Sequence, residues 1–560
     1  MIRFFTILLL LLLSTVNLSA KQTLTADQGV TVMGVVRCQG EPVEGVVVSD
    51  GALFTTTDSL GVYKLRSFKH YGSVFIVTPS GYEPTAKKGV HPQFWAPLKS
   101  DKIQKVEQHD FELRRVDNTR HRVLFIADLH LSSRNDDILQ YKRIVLPKIK
   151  EVVAQTRDTI PTYTIALGDL CRNDSWYSQD VDPTDALTIL STMRYPTMVY
   201  PVMGENEYDG AVPAGVMTDH LASELYATAC APRFYSLNIG DVHYVVLDNT
   251  VFRNEAGDGK YPTEVVGKRN FDRRVSADCL AWLRRDLEFV KDKNTPIVVC
   301  MHHSVIRSSN KGTIVKALTK PEDTDSLTAC FADFKRVHFV TAHVHRRRIS
   351  TPKNLKNIKE HTVTSLSGNN WESAFNGYPH LCSDGSPAGF ELFDVDTTSI
   401  RWRFVPVQGE EERTFRAYDM NSVAQYYRTN DDVKNMVRAA DGKRINYGAE
   451  GFENYVYINY WGDEPGSKLE VWEGNKSLKP RRVYQDDPLY TIATAVIRQR
   501  NARGRKLNWG RNNSQHLFRV QTDSLNSVVK IKTTDPFGRI FVDSLVRPVP
   551  FAPQAKRGNF

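Results

Sequence analysis

The sequence predicts a layered α/β domain in the middle of the chain, flanked on both sides by β-rich segments. Three observations predict this. Between about residues 118 and 400, apolar strand-like runs alternate with stretches of helical apolar spacing. Before that, residues 28–114 read as short β-branched strands broken by Gly, Asp and Pro. From about 401 the chain is β-rich again. At 560 residues it is too long for a single core, which agrees with several domains.

Taken in order, "MIRFFTILLLLLLSTVNLSA" has a basic start, a short apolar run and small residues before Lys21. It reads as a secretory signal over 1–20 and is too short to span a bilayer. The mature protein is therefore expected to be exported, periplasmic or secreted, and not membrane-spanning. "VTVMGVVRC", "GVVVSDG", "ALFTTTD", "GVYKLRS" and "SVFIVTP" give the strands of an N-terminal unit over 24–115. Their order resembles small exported β-sandwiches of the carboxypeptidase-regulatory or transthyretin-like kind.

In the central domain, 118–400, "RVLFIADLHL", "TYTIALGDL", "TMVYPVMG", "TPIVVCMHHS" and "VHFVTAHVH" are strands that end in polar residues. "YKRIVLPKIKEVVAQT", "DALTILSTM" and "SADCLAWLRRDLEFVKDK" are the helices between them, and "RFYSLNIGDVHYVVLDNT" is a hairpin. A third unit, 401–560, opens with "SIRWRFVPVQG" and ends in a loosely ordered tail, "PVPFAPQAKRGNF".

The formal net charge of +9 suits an anionic substrate or surface. Only "HRRRIS" and "NARGRK" are locally basic, so no nucleic-acid role is predicted. The seven cysteines form no C-x-x-C pair and read as small buried hydrophobes, with one disulfide left open.

The strand ends carry the chemistry. Asp128 and His130 follow the first strand, Asp169 the second, Glu205 the third, His302 the fourth, and His343 and His345 the fifth. Residues i and i+2 of an extended segment share a side, so each D-x-H or H-x-H pair can converge on one point. Mixed carboxylate and imidazole donors suit Mn, Fe or Zn.

In their order, these motifs resemble those of the calcineurin-like metallophosphoesterases, which run D-x-H, G-D, G-N-H-[DE], H and G-H-x-H. The resemblance implies a four-layer βαββ sandwich holding two divalent metal ions. Asp128, His130 and His345 would hold one metal, Asp169 would bridge, and His302, His343 and Glu205 would complete the second site. His303 would be packing or a neighbour of the ligands. The implied activity is hydrolysis of a small phosphomonoester or phosphodiester by attack of metal-bound hydroxide.

Two residues depart from the family pattern. In "MGENEYD", Glu205 stands where the family has the metal-binding Asn, and Asn206 where it has the catalytic His. A one-residue slip would make Asn206 the ligand but would put Tyr208 at the acidic position. Asn cannot deliver a proton near neutral pH, so general acid help is expected to be weakened. The alternative reading is a pseudoenzyme that binds phosphorylated or glycan ligands. Ala342 replaces a Gly, a mild change if φ there is not positive. Arg172 could grip a phosphate oxygen, Asp174 and Trp176 could shape access, and Asn369 or Trp371 could reach the rim.

Overall fold

The computed structural model describes residues 23–156, 159–256, 266–308, 314–352, 354–503, 505–510 and 512–554. The secretory signal expected over 1–20 lies outside them. Among the described residues, no helix is long and apolar enough to cross a membrane.

Two large sheets form the core of the central domain, beside two two-stranded ones. The first runs Val199–Pro201, Thr162–Ala166, Arg120–Ile126, Gly389–Asp396, Ser399–Pro406, with the first three strands parallel. The second runs Tyr235–Ile239, Val242–Val246, Ile297–Cys300, Val337–Thr341, Ile358–Thr362, Arg348–Ser350, with its four middle strands parallel. Parallel strands buried on both faces read as near-continuous apolar runs, which is why "VLFIA" and "IVVC" hardly alternate. The sheets meet face to face. His121 of the first shares a hydrogen bond of 2.7 Å with the Tyr244 hydroxyl of the second, and Phe393 sits edge-on to His338 and His361.

Helices cover the outer faces. Pro183–Thr192 begins on a capping box in which Asp182 accepts from the N–H groups of Thr184 and Asp185. Ala277–Phe289 starts on Ser276, whose hydroxyl accepts from the Cys279 N–H, and buries Cys279, Trp282, Leu283 and Leu287 on one stripe. The "YKRIVLPKIKEVVAQT" helix opens with a π-helical turn, Tyr141–Val145, before the α-helix Leu146–Ala154.

One expected boundary falls inside a hairpin. Ser399–Pro406, read from the sequence as the start of the third unit, pairs with Gly389–Asp396 along its whole length and forms the edge of the first sheet. The alternating apolar pattern of "SIRWRFVPV" matches an edge strand in either unit, so the pattern could not assign it.

The N-terminal segment forms a six-stranded and a four-stranded sheet. It docks through Ser49, which accepts from the indole N–H of Trp282, and through Glu83, which accepts from the Tyr163 hydroxyl. The C-terminal segment has two four-stranded sheets, together with the helices Met420–Thr429, Asp431–Ala440 and Ile497–Asn501. It joins the central domain through buried polar contacts: His516 with Asp384 at 2.9 Å, Asn459 to the Asp384 carbonyl, and Arg347 to the Trp461 carbonyl. The expected loose tail is packed in part, with Phe551 edge-on to Tyr426 at 5.4 Å. All seven cysteines are unpaired, six of them buried.

Candidate metal centre

The site lies where parallel strands end. Asp128 comes two residues after Ile126, Asp169 three after Ala166, Glu205 four after Pro201, His302 two after Cys300 and His343 two after Thr341. Pairing continues past the strands. The Asp128 N–H donates to the Gly168 carbonyl, the His130 N–H to that of Asp169, and the Ala342 N–H to that of His302.

The backbone there is unusual. Asp128, His130, Asp169, His343 and His345 all have φ between 47° and 68°, the left-handed region that side-chain-bearing residues rarely adopt. Ala342 is not among the positive-φ residues, so its replacement of Gly is tolerated. Gly168 and Gly204 allow the loops to meet. A Cβ on Gly204 would lie 2.5 Å from Oδ1 of Asp169, and one on Gly168 2.8 Å from Nδ1 of His302.

All seven residues expected as ligands come together. The donor atoms fall into three overlapping groups, each within 4.8 Å: Asp128, His130 and His345; Asp128, Asp169 and His302; and Glu205, His302, His303 and His343. Glu205 stands between two imidazoles, with Oε2 2.7 Å from His302 Nε2 and Oε1 2.8 Å from His343 Nδ1. His345 Nε2 is 3.5 Å from Asp128 Oδ1 and 3.0 Å from His130 Nε2. His302 and His345 direct Nδ1 at the carbonyls of Leu167 and Gly368, both at 2.7 Å, which leaves Nε2 of each facing inward.

The donor set fits divalent cations. Asp128 Oδ1 and both ring nitrogens of His303 are buried without a hydrogen-bond partner, and the buried Glu205 Oε2 and His302 Nε2 face only each other at 2.7 Å. Native proteins rarely leave such groups orphaned, and a shared cation would satisfy them. Burial opposes charge on Asp128, but the facing His345 imidazole holds its carboxyl below the usual range. His343 and His302 do the same for Glu205.

Asn206 does not project freely. Its side-chain amide donates to Asp169 Oδ2 at 2.7 Å, and its amide oxygen accepts from the Asn173 N–H at 3.1 Å. Arg172 is also engaged. Its Nε and Nη2 donate to the two oxygens of Asp174, and Nη1 donates to Asn370 Oδ1. Three expectations, for the rim and for substrate access, fail. Trp371 is buried, with its indole N–H on the Leu129 carbonyl, and Trp176 is buried against Cys171. Asn369 is spent on Glu372 and the Tyr490 hydroxyl.

Sequence reasoning missed Glu207 as an organiser. Its buried carboxylate accepts from the N–H groups of Gly204, Asp169 and Leu170, which ties the second motif to the third. It also missed Asn249, which binds both the N–H and the carbonyl of His303. The acid at the fourth place of the motif could have pointed to Glu207. Nothing local marks Asn249.

Family models agree with this geometry. The model for calcineurin-like phosphoesterase matches residues 121–347, that for its N terminal 30–116 and that for its C terminal 360–541. No curated protein matches. Among solved structures, the chain is similar to a dimetal phosphatase from Danio rerio, at 12% identity and TM-score 0.31, covering 51% of this chain and 96% of that one. It is similar to a purple acid phosphatase from yellow lupin (Lupinus luteus) seeds, at 12% and 0.33, covering 52% and 53%. A sulfate thiohydrolase from Thermus thermophilus matches at 9% and 0.28, covering 78% and 91%. With consecutive family models spanning most of its length, the chain belongs to the calcineurin-like phosphoesterase family.

Proposed function

We propose that the protein is an exported hydrolase of small phosphoesters that works with two divalent metal ions. The observation that carries this reading is the convergence of Asp128, His130, Asp169, Glu205, His302, His343 and His345 on overlapping donor groups. Asp128, His130 and His345 would hold one ion, and Glu205, His302 and His343 the other. The Asp169 carboxylate lies between them, 3.7 Å from His130 and 3.4 Å from His302. Such a pair of ions supplies an activated water near neutral pH and an electrophilic grip on phosphoryl oxygens. Glu205 gives the second position a charged ligand in place of a neutral amide. Asn206 holds Asp169 in orientation and brings no titratable proton. Convergent donors favour hydrolysis over a binding-only role.

The test is cleavage of p-nitrophenyl phosphate by purified protein with added Mn²⁺. Wild type should turn over, and Asp169→Asn should be inert with reduced metal content by elemental analysis. Inert wild type that gains activity on the double change Glu205→Asn and Asn206→His would sink the reading. Export rests on residues 1–20, and N-terminal sequencing of mature protein that still began at Met1 would remove it.

A further inference from the structure

His303 lies at the centre without a part in the two metal positions described above. It is fully buried, and neither ring nitrogen has a hydrogen-bond partner among the described residues. Burying an imidazole unpaired costs stability, so packing alone favours an apolar side chain at this position. Yet the donor atoms of Glu205, His302, His303 and His343 all lie within 4.8 Å of one another.

Neighbouring residues hold the ring where it can serve. Successive residues of a strand point to opposite sides. His302 and His303 follow the strand Ile297–Cys300, and the chain bends there, so that their rings lie 4.9 Å apart at 72°. Asn249 keeps that bend: its side-chain oxygen accepts from the His303 N–H at 2.9 Å, and its amide donates to the His303 carbonyl at 2.7 Å. Phe271 stacks on the ring at 5.0 Å, and the His343 ring stands 4.5 Å away at 75°. His303 Nε2 is 3.7 Å from Glu205 Oε2. Two donors bound to one cation at about 2.1 Å lie about 3–4 Å apart, so this spacing fits a shared ion.

Resting on the two-ion reading, we propose that His303 is a further ligand of the second metal position, through Nε2, beside Glu205, His302 and His343. The two positions then differ in their donors. The first has the imidazoles of His130 and His345 with the Asp128 carboxylate. The second has three imidazoles with the Glu205 carboxylate, and Asp169 lies between the two. Imidazole nitrogen suits zinc, iron and copper, whereas manganese and magnesium suit oxygen donors. The second position is therefore the one that selects a late transition metal, and His303 sets that preference.

The experiment is a crystal structure of the zinc-loaded protein, with the ions located by anomalous scattering at the zinc edge. His303 Nε2 should lie within about 2.3 Å of the ion held by Glu205. A separation above about 3 Å, or no ion beside Glu205, would overturn the proposal. In solution, manganese is titrated into zinc-loaded wild type and His303→Phe, with released zinc read by a chelating dye. The manganese concentration that releases the last equivalent of zinc should be lower in the variant by about tenfold or more, and equal concentrations would count against the ligand. If the variant does not fold, the wild-type crystal structure decides alone. Cleavage of p-nitrophenyl phosphate tests the hydrolase reading separately. An inert protein whose ion touches His303 keeps the ligand and loses the hydrolase, and an active one whose ion stands clear of His303 does the reverse.

Discussion

Asn206 holds Asp169 from two directions, its side-chain amide on Oδ2 at 2.7 Å and its backbone N–H on Oδ1 at 3.0 Å. The residue at the place of the family's catalytic His therefore orients a candidate ligand. Asn206→Ala is expected to weaken metal binding about 10- to 100-fold, the usual cost of losing a partner that orients a ligand. With no acid at 206, rates should fall steeply as leaving groups become poorer. Alkyl phosphates should react about 10²–10⁴-fold more slowly than activated aryl phosphates. Metal titration and a leaving-group series check both, and a flat series would show that another group supplies the proton.

His303 is fully buried, lies flat on Phe271 at 5.0 Å, and leaves both ring nitrogens without partners. Its Nε2 is 3.7 Å from Glu205, and Asn249 fixes its main chain. His303→Phe keeps the ring volume and removes the nitrogens. Metal-free protein should gain about 1 kcal/mol, since a buried unsatisfied group is removed. Affinity for the ion at Glu205 should fall at least tenfold. Denaturant melts and calorimetric metal titration measure the two, and unchanged affinity would return His303 to simple packing.

At the seam with the C-terminal segment, burial on its own would raise the Asp384 carboxyl. The His516 ring at 2.9 Å, with the Ser386 hydroxyl and N–H, outweighs burial and holds it at about 2. A carboxyl held below its unfolded value stabilises the fold above that value, and the contribution fades as pH falls through the folded one. Asp384→Asn should therefore cost on the order of 2 kcal/mol at neutral pH. The gap should close between about pH 4 and pH 2 in denaturant melts of both proteins. A gap independent of pH would mean that shape, not charge, holds the seam.

Much of this was legible in the chain. Asp128, Asp169, His302 and His343 each follow an apolar run, and a buried parallel strand has few other reasons to end in such residues. The neighbours of the candidate ligands were less legible. That Asn206 turns onto Asp169, or that Glu207 collects three N–H groups, depends on loops from separate strands meeting at Gly168 and Gly204. In the C-terminal segment the helical signal was present: Met420, Val423, Ala424 and Tyr427 lie on one stripe, as do Val433, Met436 and Ala440. The surrounding aromatic and β-branched residues drew the reading towards strands. The hairpin across 396–399 could not be assigned because its pattern fits either neighbour.

The left-handed backbone at Asp128, His130, Asp169, His343 and His345 has an energetic consequence. Each such position disfavours its own side chain by about 1 kcal/mol or more relative to glycine. Glycine at any of the five would relieve that strain while removing a candidate donor. The chain carries two aspartates and three histidines at those bends against the preference of its own backbone.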